Sequence, residues 1–211
     1  MQLLHQQKNK MRKIGILGGS FDPVHNGHIG LAVDAKNQLR LDEVLLIPAK
    51  LQPFKLDKNM VSGEQRLEMI KIAVADIPGI TPCDYELQQE QISYTYKTLK
   101  AISEMEGPDT EIYFLTGTDS LLQIHRWKNA EEMLRTYNFV VGSRPGYKDD
   151  ELSECIAVLK KEYNTNVTKV DNNQLNISST DIREKLHSGQ GLAGLVPEVV
   201  ERYFIEHGLY K

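Results

Sequence analysis

His25 and His28 stand three residues apart at the end of the run Gly18-Gly19-Ser20-Phe21-Asp22-Pro23-Val24-His25-Asn26-Gly27-His28. Negative charge developing between two imidazoles can accept hydrogen bonds from both. Gly18 and Gly19 permit a tight bend and let backbone N–H groups approach a ligand with no Cβ in the way. Clustered N–H groups, and a helix starting beside them, favour anions. The run therefore reads as a polyphosphate cradle built without a lysine-bearing phosphate loop. It predicts transfer of a nucleotidyl group from a nucleoside triphosphate. Each part has an ordinary explanation, since paired glycines often follow a strand and a single loop histidine is usually solvated. The combination is what carries chemical meaning. The chain has no Gly-x-x-x-x-Gly-Lys-Ser/Thr run, and Gly15, Gly18 and Gly19 miss the spacing of the dinucleotide fingerprint.

The apolar run Ile14-Gly15-Ile16-Leu17 predicts a buried strand leading into this turn. His28 then lies in the first turn of a helix with Asn26 as its N-cap. Pro23 fixes one side of the turn and Phe21 anchors it to the core. Downstream, strands are expected at Glu43 to Ile47, Ile80 to Tyr85, Glu111 to Thr116, Phe139 to Gly142 and Val167 to Val170. Helices are expected at Ser62 to Ala75, with Leu67, Ile70 and Val74 on one face, and at Tyr94 to Met105. Further helices are expected along the Leu152, Ile156, Leu159 and Tyr163 stripe, at Ser178 to His187, and around Val199 to Phe204. This alternation predicts an α/β fold with a Rossmann-like, doubly wound, mainly parallel sheet and helices on both faces. In such a fold ligands bind beyond the carboxyl ends of the strands.

Several segments after strands offer polar groups to that edge. Asp119, behind Gly117, can accept both hydroxyls of a ribose, or cap a helix starting at Ser120. Lys55, in Gln52-Pro53-Phe54-Lys55, follows the second strand, where a loop lysine is ordinarily solvated. Ser93 can cap the helix opening at Tyr94 and Thr95, and a helix start suits a carboxylate. Trp127, the single tryptophan, is either packing or a stacking platform for a planar ring. Ser178 and Asp181 have capping-box spacing, which alone would explain the serines. Arg183, one turn further on, can hold a phosphate through two hydrogen bonds. Arg144 is a weaker candidate for the same task.

The run from Gly18 to His28 resembles the signature of the nucleotidyltransferase superfamily that carries a His-x-Gly-His motif. Ile177-Ser178-Ser179-Thr180-Asp181-Ile182-Arg183 resembles the Ile-Ser-Ser-Thr-x-Ile-Arg motif of the same superfamily. With Gly117-Thr118-Asp119 and the chain length, the sequence is most similar to the bacterial nicotinate-nucleotide adenylyltransferases, from about Met11 onward. The resemblance implies transfer of the adenylyl group of ATP to nicotinate mononucleotide, giving deamido-NAD and pyrophosphate. It implies Mg2+ arriving with ATP, and neither a tightly bound cofactor nor metal-ligating residues. It implies His25, His28 and Arg183 as catalytic. Gly18, Gly19, Ser20, Phe21, Gly27, Gly117, Asp119, Arg144, Ile177, Ser178 and Ser179 fall at ATP. Ser20, Lys55, Tyr94, Thr95 and Trp127 fall at nicotinate mononucleotide. Gln52 and Phe54 depart from the Pro-Pro-His-Lys the family usually shows before its lysine, so no role passes to a histidine there.

Length and composition set the outer bounds. A chain of 211 residues, 40% hydrophobic and 26% charged, suits a single globular domain spanning residues 11–211. Met1 to Lys10 is polar and reads as a flexible extension. The net charge of −4 gives no general attraction to nucleic acid or anionic membrane. Two distant cysteines, no signal-like start and no span-length apolar run point to the cytoplasm. Self-association as a homo-oligomer is compatible with the sequence. Three rivals stay open: another enzyme of the superfamily, such as pantetheine-phosphate adenylyltransferase or a cytidylyltransferase, a nucleotide sensor without chemistry, and a nucleic-acid-binding domain.

Overall fold

Val44 to Ile47 and Ile14 to Leu17 have no polar residue to show to water, the mark of strands covered on both faces. The structure, a computed structural model, describes residues 10–50, 60–90, 92–143, 148–172 and 177–210. Met1 to Asn9 of the expected extension, Lys55 and Arg144 lie outside the described residues.

Six strands form one parallel sheet: β1 (Arg12–Gly19), β2 (Glu43–Pro48), β3 (Ile80–Pro82), β4 (Thr110–Gly117), β5 (Asn138–Ser143) and β6 (Val167–Asp171). Their spatial order is β3-β2-β1-β4-β5-β6, so the winding reverses between β1 and β4. That reversal opens a crevice at the carboxyl ends of those two strands. The helices are α1 (Asn26–Leu39), α2 (Gly63–Val74), α3 (Thr95–Glu106), α4 (Thr118–Leu122), α5 (Ala130–Thr136), α6 (Asp149–Tyr163), α7 (Ser179–His187) and α8 (Glu198–Glu206), with a 3-10 turn at Ile124–Arg126.

Period-two alternation splits the sheet side chains between two cores. Leu17, Leu46, Leu115 and Val140 pack with Ala32 of α1, Met69 and Ile70 of α2, Ile182 of α7, and Val200 and Phe204 of α8. Ile16, Ile47, Phe114 and Val141 pack on the other side, with Leu99 of α3, Leu121 of α4, Met133 of α5 and Leu152 of α6. Gly15 is required where β1 meets β2, because a Cβ there would lie 2.9 Å from both Leu41 Cδ1 and Val44 Cγ2. None of the described helices is long and apolar enough to cross a membrane.

Three expectations need correction. The strand from Ile80 stops at Pro82, since Cys83 to Tyr85 leave the ladder. On α2 the buried positions are Arg66, Met69, Ile70 and Val74, with Leu67 only partly covered; an arginine occupies the place nearest the turn. The helix after β1 begins at Asn26, with His25 rather than Asn26 as N-cap.

Candidate active site

The turn after β1 is built by its two histidines. His25 Nδ1 accepts the His28 backbone N–H at 3.3 Å, and His28 Nδ1 accepts the His25 backbone N–H at 3.3 Å, a reciprocal capping box made of imidazoles. Asn ordinarily ranks high as an N-cap, but a ring nitrogen does that work here. Asn26 turns outward, its side-chain amide donating to Gly194 O at 2.9 Å. Because each Nδ1 is an acceptor, Nε2 is the nitrogen that carries the proton in each neutral ring; this tautomer follows from the hydrogen-bond network. The rings stack with centroids 3.6 Å apart, and Phe21 packs on His28 with centroids 4.7 Å apart. Gly27 makes the stack possible, since a Cβ there would lie 3.1 Å from His25 Cε1.

The carbonyl groups of the turn are taken up by donors from three different segments. Ala49 N–H donates to Gly19 O at 2.8 Å. Arg66 Nη1 donates to Ser20 O at 2.6 Å, Arg183 Nη1 to Asp22 O at 2.6 Å, and Ser179 Oγ to Pro23 O at 3.0 Å. Carbonyl oxygens, which would repel phosphate, are thereby held by donors. The chain is fixed before any ligand arrives, as transition-state stabilisation requires.

The cleft at this edge has a volume of about 870 Å³. Gly18, Gly19, Ser20, His25, Gly27 and His28 line it together with Tyr94, Thr95, Gly117, Asp119, Trp127, Ile177, Ser178 and Ser179. Fourteen of the residues named from sequence therefore meet on one surface. Phe21 does not line it; the ring is fully buried in the core and supports His28 from behind. Arg183 is also absent from the lining. Its guanidinium lies against the turn, with Nη1 on Asp22 O and 3.8 Å from Asp22 Oδ2.

Besides α1, three more helices start at this cleft, which gathers their positive ends. For α7, Ser178 Oγ accepts from Asp181 N–H at 3.1 Å, so the serine caps as its spacing predicts. For α3 the N-cap is Tyr94, not Ser93, and no side chain caps it. Ser93 instead accepts the Lys50 N–H at 3.1 Å, tying the end of β2 to the start of α3. Asp119 is not a cap either. Gly117 fills that place on α4, and Asp119 sits in its first turn with Oδ1 3.4 Å from Lys148 Nζ. Trp127 packs edge-on against Phe114, with ring centroids 5.8 Å apart, and also lines the cleft.

Sequence reasoning missed the supports of the site. Arg66 is almost wholly buried and donates to Val61 O, Ser20 O and Ala49 O at 2.9, 2.6 and 2.8 Å. Burial lowers its pKa, which the nearby Asp22 carboxylate opposes. The available signal was an arginine on the apolar stripe of α2. Glu86 lines the cleft, buried, with Thr98 Oγ1 donating to it at 2.6 Å and Ser93 as a second donor. Burial raises its carboxyl above the ordinary value. Lys128 lies over the Tyr94 ring, 4.5 Å from its centroid, and lines the cleft beside Arg126.

The geometry has the parts of a nucleotide-transfer site, and comparison with other proteins narrows it. The cytidylyltransferase-like family matches residues 16–185, which take in both motifs. A protein of Clostridium novyi (strain NT) named "Probable nicotinate-nucleotide adenylyltransferase" is 39% identical over 201 residues, covering 95% of this chain and 100% of that one. One of the same name from Clostridium botulinum (strain Alaska E43 / Type E3) is 36% identical and covers 95% and 99%. The chain belongs to the nicotinate-nucleotide adenylyltransferase family. Among solved structures, the nicotinic acid mononucleotide adenylyltransferase of Plasmodium falciparum complexed with NaAD superposes with a TM-score of 0.78. It is 22% identical and covers 94% of this chain and 97% of that one, a likeness of fold. Within the family match lie the second half of β1 through most of α7, so the histidine turn and the Ser178 cap belong to the shared part. Helix α8 and the residues after it lie beyond the match to the cytidylyltransferase-like family, although they pack directly behind the turn.

Proposed function

We propose that the chain transfers the adenylyl group of ATP to nicotinate mononucleotide, giving deamido-NAD and pyrophosphate in NAD biosynthesis. The observation that carries this reading is the imidazole capping box at the switch point of the sheet, in a chain of this family. The phosphate of the mononucleotide is already a nucleophile near neutral pH. One of its oxygens forms a bond to the α-phosphorus while the bond to pyrophosphate breaks. No proton must be removed first, so positioning and charge neutralisation make up the catalysis.

His25 and His28 donate from Nε2 to phosphoryl oxygens. Arg183 and Lys55 hold flanking phosphates, with Arg144 as a further contact. Gly18, Gly19, Ser20, Phe21, Gly27, Gly117, Ile177, Ser178 and Ser179 shape the ATP side, largely through backbone groups. Asp119 takes the ribose hydroxyls in exchange for Lys148. Tyr94 and Thr95, at the start of α3, receive the nicotinate carboxylate, and Trp127 stacks on the pyridine ring. Among the described residues no three His, Cys, Asp or Glu side chains gather into a metal cage. ATP enters as its Mg2+ complex, with the cation held mainly by phosphate oxygens and water.

Pyrophosphate release with each acceptor tests the reading. Specificity for nicotinate mononucleotide over the neutral nicotinamide analogue is expected, because a helix N-terminus favours a carboxylate. Equal kcat/KM for the two acceptors would remove the proposed role of α3.

A further inference from the structure

The C-terminal tyrosine is joined to the histidine turn. Tyr210 Oη donates to Asp22 Oδ1 at 2.6 Å, a contact across 188 residues. Asp22 is buried, and its carboxylate also faces the Val61 N–H at 3.4 Å and Arg183 Nη1 at 3.8 Å. Arg66 adds a second positive charge nearby. Tyr210 reaches this place with a left-handed backbone, φ +61°, which a tyrosine adopts only when its surroundings impose it. Its ring packs edge-on against Phe204 at 5.7 Å, and Leu209 N–H closes the terminal turn on Phe204 O at 2.8 Å.

We propose that Tyr210 is a positioning residue whose hydroxyl, through the Asp22 carboxylate, sets the placement of Arg183 and of the histidine turn. The role of Arg183 toward triphosphate rests on the function proposed above; the contact itself does not. Asp22 and a bound triphosphate compete for one guanidinium. A hydroxyl hydrogen bond satisfies part of the buried carboxylate without adding charge. Arg183 then stays close enough to be preorganised and is still able to serve phosphate. Without the hydroxyl, Asp22 draws Arg183 inward and strains the turn whose Asp22 carbonyl the same guanidinium holds. Burial and the adjacent carboxylate push the Tyr210 phenol pKa well upward, so it remains a donor across the working pH range.

Tyr210→Phe keeps the ring and removes the donor. It should lower kcat/KM for ATP on the order of tenfold, the loss of one hydrogen bond to a charged group, while KM for the acceptor holds. In an Asp22→Asn background the same substitution should add nothing. Phe204→Leu, which loosens the ring but spares the hydroxyl, should lower the melting temperature and leave the ATP constants alone. A substrate-free reading separates this inference from the proposed reaction. The NMR imidazole signals of His25 and His28 should shift in Tyr210→Phe and not in Phe204→Leu. Unmoved imidazole signals overturn the inference whether or not the chain makes deamido-NAD. Unchanged ATP kinetics, equal losses for both substrates, or additivity with Asp22→Asn also overturn it. If Tyr210→Phe does not fold, Asp22→Asn reads the same contact from the other side, and unaltered imidazole signals there defeat the proposal.

Discussion

At the scale of single residues, the proposed function gives the two nitrogens of each histidine different tasks. Nδ1 of each ring is spent on the helix cap, and the proposed reaction assigns Nε2 to phosphate. His28→Ala removes a donor and half of the capping box. Turnover should fall on the order of 10²-fold or more, as for loss of one preorganised donor, while a thermal melt still shows a folded protein. Wild-type turnover in the folded variant would contradict the assignment. Gly27→Ala isolates geometry from chemistry, because it deletes no donor. The added methyl would sit 3.1 Å from the His25 ring, so the ring must tilt. Steady-state kinetics should show a fall in kcat with both imidazoles intact, and an unchanged kcat would mean that the stack is dispensable. The histidines and glycines were legible from spacing alone. Which residue caps the helix was not, because general cap preference favours Asn26 and says nothing of a ring nitrogen reaching back from position 25.

At the scale of elements, the strands and the long helices follow from apolar periodicity, and the short pieces do not. Helix α5 escaped notice because it buries only Met133 and Leu134 and starts from Asn129 without a side-chain cap. Helix α2 shows what pattern alone conceals. Its stripe includes a charge, Arg66, whose three carbonyl partners belong to the turn, the end of β2 and the residue before its own cap. Arg66→Met strands those oxygens and should cost about 3 kcal/mol or more in urea unfolding, by the penalty for unpaired buried polar groups. A cost near zero would show that water replaces the guanidinium. At the same helix, Ser62 Oγ accepts the Gln65 N–H at 3.2 Å. Ser62→Ala should therefore cost only about 1 kcal/mol, and comparison of the two variants separates a cap from a clamp.

At the scale of the whole molecule, the sheet order brings segments distant in sequence to one edge. The alternation of elements made that convergence readable before any contact was known. Long-range ties such as Tyr210 to Asp22 were not readable, since no local pattern marks a pairing across the full length of the chain. Charge is likewise arranged globally. An acidic chain collects helix N-termini and cations at one cleft, yet buries Glu86 in its wall. Burial raises the Glu86 carboxyl above its ordinary 4.5, so the folded state holds that proton more tightly than the unfolded chain. Its contribution to stability is then present at low pH and is lost as pH rises from about 4.5 through the raised folded value. Glu86→Gln should remove that part of the slope in urea midpoints measured against pH, and parallel curves would refute it. The central claim concerns the reaction itself. Incubation with ATP, Mg2+ and a panel of acceptor phosphates, followed by product mass, tests it most directly. The account predicts the mass of deamido-NAD from nicotinate mononucleotide, with pyrophosphate in equal amount. A dinucleotide formed only from another acceptor, or no adenylylated product at all, would contradict it.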